Sequence, residues 1–229
     1  MELLHNGFTL EFSEGAFPLG TDSITLADFV SLPKDAQVLD LGSGCGTLGL
    51  MLCAKRDDCT VTGIEIAPDD HAMALHNAKK NCVDTRLISI CGDVNQVPEL
   101  FKPGKFNICV SNPPYFAGGP KSKALPTARS EESLCMDALF AGAAWALRYG
   151  GDFYLVHRPE RLAELCATAV KHGLEPKILR LLRHRSDKEV TLVLLKCRKG
   201  GKPGLKWEEF SLYDASGAQT DYYKHIYHL

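Results

Sequence analysis

The run from Val38 to Leu52, VLDLGSGCGTLGLML, restricts the possible folds more than any other stretch of the chain. Val38, Leu39 and Leu41 make a short apolar segment suited to a strand buried on both faces. Thr47 to Leu52 is apolar enough to begin a helix that packs back onto it. Between the two, Gly42, Gly44 and Gly46 have to reverse the chain sharply. Glycine supplies the backbone conformations such a turn needs, and without a Cβ it lets a ligand lie on the amides at the helix N-terminus. The spacing is G-x-G-x-G, tighter than the G-x-G-x-x-G of dinucleotide binders, so a ligand without a pyrophosphate would take its anchors from elsewhere.

Glu65 is the first such anchor. It closes the next apolar run, VTGIEI, roughly 20 residues past the last glycine, where a carboxylate can accept hydrogen bonds from both ribose hydroxyls. Asp93 follows a third apolar run, RLISICGD. Glycines alone serve tight structural turns as often as ligands. With Glu65 and Asp93 added, the pattern points to an adenosine-type ligand.

Asp40-Leu41-Gly42-Ser43-Gly44-Cys45-Gly46, taken with these two acids, resembles the S-adenosylmethionine site of class I methyltransferases. The resemblance implies that Glu65 holds the ribose and Asp93 the adenine, with the neighbouring Ile66 and Val94 completing the site. Phe17-Pro18-Leu19-Gly20-Thr21-Asp22, which leads into an apolar helix ending before Pro33, is similar to the segment lining the methionine end of that pocket in amino-methyltransferases. On that likeness Gly20 and Thr21 join the cofactor set.

The chain of 229 residues, 45% hydrophobic, can bury one sizeable α/β core and is read as a single domain over 1–229. Residues 1–37 are taken as an edge strand and a helix capped by Thr21 or Asp22, 38–199 as the cofactor-binding core, and 200–229 as an extension. From Val38 strands and helices alternate, which predicts a parallel sheet covered on both faces. A helix over about 129–147 leads through Gly150-Gly151 to the fifth strand, DFYLVH. Lys177 to Leu182 and Glu189 to Lys196 are separated only by a short polar turn, so they must pair antiparallel. The expected fold is therefore α/β and Rossmann-like: a mostly parallel seven-stranded twisted sheet, an antiparallel C-terminal hairpin, and helices on both faces. Such a sheet is similar to that of class I methyltransferases.

The fourth strand ends in Ser111-Asn112-Pro113-Pro114-Tyr115-Phe116. Ligands of open parallel sheets bind beyond the carboxyl ends of the strands, so this loop should share the crevice of Gly42 to Gly46. The prolines remove two N–H donors, leaving carbonyls and the Asn112 amide oxygen as acceptors for a planar exocyclic NH₂. Accepting both hydrogens pulls the nitrogen toward a pyramidal geometry whose lone pair can attack a sulfonium methyl. Positioning and electrostatics then carry the catalysis. Tyr115 would stack on the target ring, with Phe116 as a second wall.

Asn112-Pro113-Pro114-Tyr115 is the signature of methyltransferases that act on planar amino nitrogens of nucleic acids or on the glutamine amide of release factors. Four further stretches resemble the bacterial transfer-RNA adenine-N6 methyltransferases that modify the adenine beside the anticodon of valine transfer RNA. They are Gly20 to Ser23, Ala128 to Glu132, Leu155 to Leu162, and Arg198 to Gly204. The resemblance implies Asn112, Pro113, Pro114 and Tyr115 as catalytic residues, Asn112 also touching the cofactor, and Tyr115, Phe116, Arg129, Lys199 and Lys202 as substrate contacts. Guanine N2, a protein glutamine amide and a non-catalytic RNA-binding role stay open as alternatives.

The net charge of −2 excludes a general polycation. Locally, residues 177–206 carry ten Lys or Arg against Asp187 and Glu189, a strip expected to rim the crevice and hold RNA phosphates. Nine dispersed cysteines without a C-x-x-C pair favour reduced core thiols over zinc or disulfides, hence a cytoplasmic setting and no metal. His225 and His228 lack a third ligand, and MELLHNGFTLEF reads as neither a signal peptide nor a membrane span. The tail DYYKHIYHL is expected to form a short closing helix.

Overall fold

The computed structural model describes residues 2–4, 7–15, 19–113 and 136–229. In chain order the elements are β1 (Glu2–Leu3), β2 (Thr9–Leu10), α1 (Thr21–Phe29), β3 (Gln37–Leu41), α2 (Thr47–Lys55), β4 (Thr60–Glu65), α3 (Pro68–Lys80) and β5 (Leu87–Cys91). There follow α4 (Val97–Leu100), β6 (Phe106–Ser111), α5 (Met136–Ala146), β7 (Leu147–His157), α6 (Leu162–Lys171), β8 (Leu174–Arg185), β9 (Val190–Lys199), β10 (Lys206–Tyr213) and α7 (Asp221–Tyr227).

Among the described residues the main sheet has eight strands in the order β10-β8-β9-β7-β6-β3-β4-β5. β3 lies parallel between β4 and β6, as the alternation of strands and helices requires. β9 runs antiparallel to both β7 and β8. The expected seven strands are all present, and the correction is an eighth, β10, parallel to β8. Its sequence KWEEFSLY buries only Leu212 fully and leaves Trp207 three-quarters exposed, so an edge strand without a continuous apolar run escapes hydropathy reading.

Alternation along the buried strands divides the core into two layers. Val38, Val61, Ile108, Val110, Tyr154 and Val156 face α1 and α2, where Leu26, Phe29, Leu50 and Leu52 meet them. Leu39, Leu41, Cys109, Phe153 and Leu155 point the other way, onto Leu139, Phe140 and Ala143 of α5 and Leu165 of α6. α3 opens on Pro68, carries Asp69 and Asp70 in its first turn and Lys79 and Lys80 in its last, an order that suits both the free amides and the helix dipole.

Three local expectations change. Among the described residues the Phe8 to Phe12 segment does not join the main sheet; Thr9–Leu10 pairs with Glu2–Leu3. The side-chain amides of Asn77 on α3 and Asn81 at its C-cap take the place of a neighbouring strand: each accepts from and donates to the backbone of Thr9 or Glu11 at 2.7–3.0 Å. α1 starts after Gly20 with no side-chain cap, and Asp22 instead accepts from the next amide, Ser23. β7 begins directly after α5, so that Gly150 and Gly151 fall within a register irregularity of the strand.

The tail does form a helix, α7, and Arg180 of β8 fastens it. Its guanidinium donates to Asp28 of α1 at 2.7 Å and Glu208 of β10 at 3.0 Å, and lies 4.7, 4.8 and 5.7 Å from the ring centres of Phe29, Phe210 and Tyr222. Removing it would strip Asp28 of its strongest partner and three rings of their cation. Arg180→Ala should therefore lower unfolding free energy by about 2–4 kcal/mol in urea denaturation. Arg180→Lys should recover less than half, because an ammonium cannot make the forked contact.

Candidate active site

The carboxyl ends of β5, β4, β3 and β6 lie side by side, and each delivers one expected residue. After β3 the chain folds across β4: the amides of Gly42 and Ser43 both donate to the carbonyl of Ile64, at 3.0 and 2.9 Å. Gly42, Gly44 and Gly46 all take positive φ, 75°, 53° and 79°, which L side chains adopt only under strain. A Cβ on Gly44 would meet no atom within 4 Å, so the backbone there presents an open surface.

Glu65 is buried and splits its carboxylate between two amides. Oε2 accepts from Gly44 at 2.7 Å and Oε1 from Ala67 at 2.9 Å. One side chain thus ties the glycine loop to the start of α3, and each oxygen keeps a second lone pair for a hydroxyl. Ile66 beside it is half exposed, an apolar surface at the rim. Asp93 follows β5 and caps a 3₁₀ turn, Val94–Gln96; its Oδ1 accepts from the Asn95 amide at 2.8 Å. Val94 itself is buried in the core layer under α5.

Asp40 sits within β3, 2% exposed. Burial, with Glu65 nearby as a lesser cause, pushes its carboxyl up to about 7. Among the described residues, Asp40 Oδ2 and Ser43 Oγ are buried without a hydrogen-bond partner. Two unsatisfied polar atoms beside an open glycine loop are what a polar ligand would complete. Cys45 is engaged elsewhere: its thiol donates to Asp70 Oδ1 at 3.3 Å and accepts from the Ser13 amide.

Asn112 follows β6, next to the strand bearing the glycine loop. Its Nδ2 donates to Ser23 Oγ of α1 at 2.9 Å. The start of α1 is thereby brought against the loop, and with it Gly20 and Thr21; the Thr21 hydroxyl lies 3.1 Å from Tyr227 Oη of α7. Pro113 is buried. Pro114, Tyr115, Phe116 and Arg129 lie outside the described residues.

Some positions were not singled out from sequence. Ser23 lay within the Gly20 to Ser23 stretch, but nothing in the sequence marked it as the partner of Asn112. Gly63 carried a signal, as an isolated glycine in an apolar strand. A Cβ there would come within 2.5 Å of Ser43 Oγ, so the glycine makes room for the loop. His157, at the end of β7, is buried, its Nδ1 accepting from the Arg158 amide at 2.8 Å.

Lys199 and Lys202 are not at the crevice. Leu155 pairs with Ser111 and with Leu195, so Lys199 lies four residues farther along β9, about 13 Å toward the opposite edge. The direction of β9 is the reason: antiparallel to β7, it carries its basic end away. Lys199 Nζ donates there to the Leu147 carbonyl, and Lys177 Nζ to that of Lys202. Among the described residues no group of three His, Cys, Asp or Glu could hold a metal ion, and no helix is long and apolar enough to cross a membrane.

The family model described as methyltransferase small domain matches residues 11–168. The chain is 33% identical over 206 residues to the tRNA1(Val) (adenine(37)-N6)-methyltransferase of Edwardsiella ictaluri, covering 85% of this chain and 81% of that protein. It is 27% identical to the enzyme of the same name from Aeromonas salmonicida, covering 96% and 93%. The solved structure of a predicted O-methyltransferase from Agrobacterium tumefaciens superposes with a TM-score of 0.75 at 20% identity, over 91% of this chain and 96% of that one. Geranyl diphosphate C-methyltransferase from Streptomyces coelicolor, solved with S-adenosyl-L-homocysteine, gives 0.58 at 12%, over 77% and 76%. These two likenesses concern the fold.

Two outcomes follow. Asp40 binds its proton more tightly folded than unfolded, so its contribution to stability is full below about pH 4 and is lost as pH rises to about 7. Thermal denaturation of Asp40→Asn across that range should show a flatter pH dependence and higher stability than the parent at pH 8. Glu65→Ala should weaken S-adenosylmethionine binding, read by calorimetric titration, by about 1–3 kcal/mol; an unchanged affinity would remove Glu65 from the site.

Proposed function

Because the chain belongs to the methyltransferase small-domain family, we propose that it methylates the exocyclic N6 amine of an adenine in transfer RNA, with S-adenosylmethionine as methyl donor. The observation that carries the reading is Asn112, held by α1 at the carboxyl end of β6 beside the glycine-loop strand. The substrate follows the relatives, which are named for adenine 37 of tRNA1(Val) and align over most of the chain.

The cofactor fits the residues present: an open backbone at Gly44, the carboxylate of Glu65 with lone pairs to spare, and the unpartnered Asp40 Oδ2 and Ser43 Oγ. Gly42, Ser43, Gly44 and Gly46 would cradle it, Glu65 would hold the ribose, and Asp93 with Ile66 would border the adenine. When bound, S-adenosylmethionine supplies an electrophilic sulfonium methyl. The rest belongs to the chain. With its amide nitrogen donating to Ser23, the Asn112 carboxamide oxygen is the group that would accept a substrate N–H. The Pro113 carbonyl provides a second acceptor, and Pro114 keeps the loop short of donors. Two accepted hydrogens orient the amine and raise electron density on its nitrogen. No strong base is needed, because the nitrogen sheds a proton readily once alkylated. Tyr115 and Phe116 would stack the extruded adenine. On this reading residues 1–229 act as one catalytic unit in the cytoplasm, where transfer RNA is modified.

Incubation with labelled cofactor and bulk transfer RNA, ribosomal RNA, DNA or release factors, followed by mass spectrometry, should yield N6-methyladenosine in transfer RNA. Label in protein alone, or as N2-methylguanosine, would overturn the substrate. Asn112→Ala should reduce kcat at least 100-fold with cofactor affinity within a small factor. Ser23→Ala, which removes the acceptor of the Asn112 amide, should cost about tenfold in kcat.

A further inference from the structure

The basic strip of residues 177–206 is mostly consumed inside the protein. Arg180 is taken by Asp28 and Glu208, Lys196 and Arg198 by Asp152, and Lys199 by a backbone carbonyl. The β8–β9 turn is different. There His184, Arg185 and Lys188 line an open cavity of about 420 Å³ together with Tyr213 and Gly217. Lys188 is 61% exposed; Arg185 makes a forked contact with Asp187 at 2.5 and 2.7 Å, and Lys188 lies 3.7 Å from the same carboxylate. One acid therefore faces two cations. The nearby Asp214 spends its Oδ1 on the amides of Ser216 and Ala218 in its own turn. Gly217, at φ 90°, leaves 4 Å of open space where a Cβ would be.

This cavity is on the crevice end of the sheet. β8 is parallel to β6 and β7 through the antiparallel β9, and β10 is parallel to β8, with Tyr213 opposite Arg185. The end of β8 lies three strand spacings, about 14 Å, across the sheet from β6 and, because Ser111 is level with Leu179 through Leu155 and Leu195, about 20 Å farther along the strands, so the two ends are roughly 24 Å apart. Aromatic rings lead from one toward the other. His184 and Tyr213 are 5.0 Å apart, Tyr213 and Tyr223 5.2 Å, Tyr223 and Tyr227 4.5 Å, and Tyr227 reaches Thr21 at the start of α1, two residues before the partner of Asn112.

We propose that this cavity is a second docking site for the RNA substrate, holding a nucleotide other than the one methylated, its phosphate on Arg185 and Lys188 and its base against His184 and Tyr213. Cations beside aromatic faces suit single-stranded nucleic acid, where backbone charge and base stacking are met together. The distance to Asn112 makes it an anchor for the same RNA molecule rather than part of the methyl-transfer pocket. The inference rests on the transfer-RNA reading above.

The test uses the full chain and bulk transfer RNA, measuring RNA affinity by fluorescence anisotropy over a salt series alongside methyl-transfer kinetics. Arg185→Gln with Lys188→Glu should raise Kd and KM for transfer RNA about tenfold, with kcat within twofold, and should flatten the salt dependence by about two charges. S-adenosylmethionine affinity, unchanged, shows that the variant is folded. Lys199→Glu with Lys202→Glu, at the opposite edge, should leave all four quantities as they were. Wild-type Kd and KM in the first variant, or an equal loss in the second, would overturn the site. If the wild type binds transfer RNA but methylates none of it, and the first variant loses that binding, the docking site stands while the transfer-RNA methylation reading falls.

Discussion

The bonding of the loop after β3 to the end of β4 is the contact on which the site depends. Two successive amides, Gly42 and Ser43, share the Ile64 carbonyl, and Glu65 returns the favour by accepting from Gly44. A loop of glycines has the most conformational entropy to lose on ordering, and these three bonds within one turn of chain offset that loss. Once they form, the position of α2 is set by Gly46, that of α3 by Ala67 on the other oxygen of Glu65, and Ser43 Oγ fills the space that a side chain on Gly63 would occupy. A ligand meeting this loop finds donors and acceptors already held in place, which is the condition for binding energy to be spent on the ligand rather than on ordering the protein.

Much of this was legible because it depends on local sequence. Strands buried on both faces have to be short and apolar, and the runs ending at Leu41, Glu65, Cys91 and Ser111 are so; the glycines between strand and helix became specific only together with Glu65 and Asp93. The brevity of the segment between Leu182 and Glu189 forced a hairpin. What failed was of another kind. β10 is an edge strand covered on one face only, so its pattern is mixed. The Phe8 to Phe12 segment found its backbone partners in two asparagine side chains of α3, a pairing over about seventy residues that no local pattern announces. Ser23 joined the site through tertiary packing alone.

The basic strip shows why charge counted along a sequence is a poor map of charge in space. A strand five residues longer moves its last side chain about 16 Å, and an antiparallel strand moves it away from the end where its parallel neighbours finish. Ten cations in thirty residues thus reach both ends of the strands, and acids remote in sequence, Asp28, Asp152 and Glu208, neutralise most of those in between.

The same accounting bears on why α7 and β10 are built onto the far edge of the sheet. α7 contacts α1 through Tyr227 and Thr21, while Arg180 and His225 both reach Asp28 on α1. α1 in turn positions the Asn112 amide through Ser23. Asp28 and Ser23 lie on the same short helix, so a rigid-body shift of α1 that loosened its C-terminal contacts would also move the hydroxyl that holds the amide. The stability of the tail and the orientation of Asn112 are therefore linked through one helix of nine residues. A chain lacking α7 would keep the glycine loop and Glu65 intact, since those are fixed by β4 and α3, and would lose alignment at Asn112 before it lost the cofactor site.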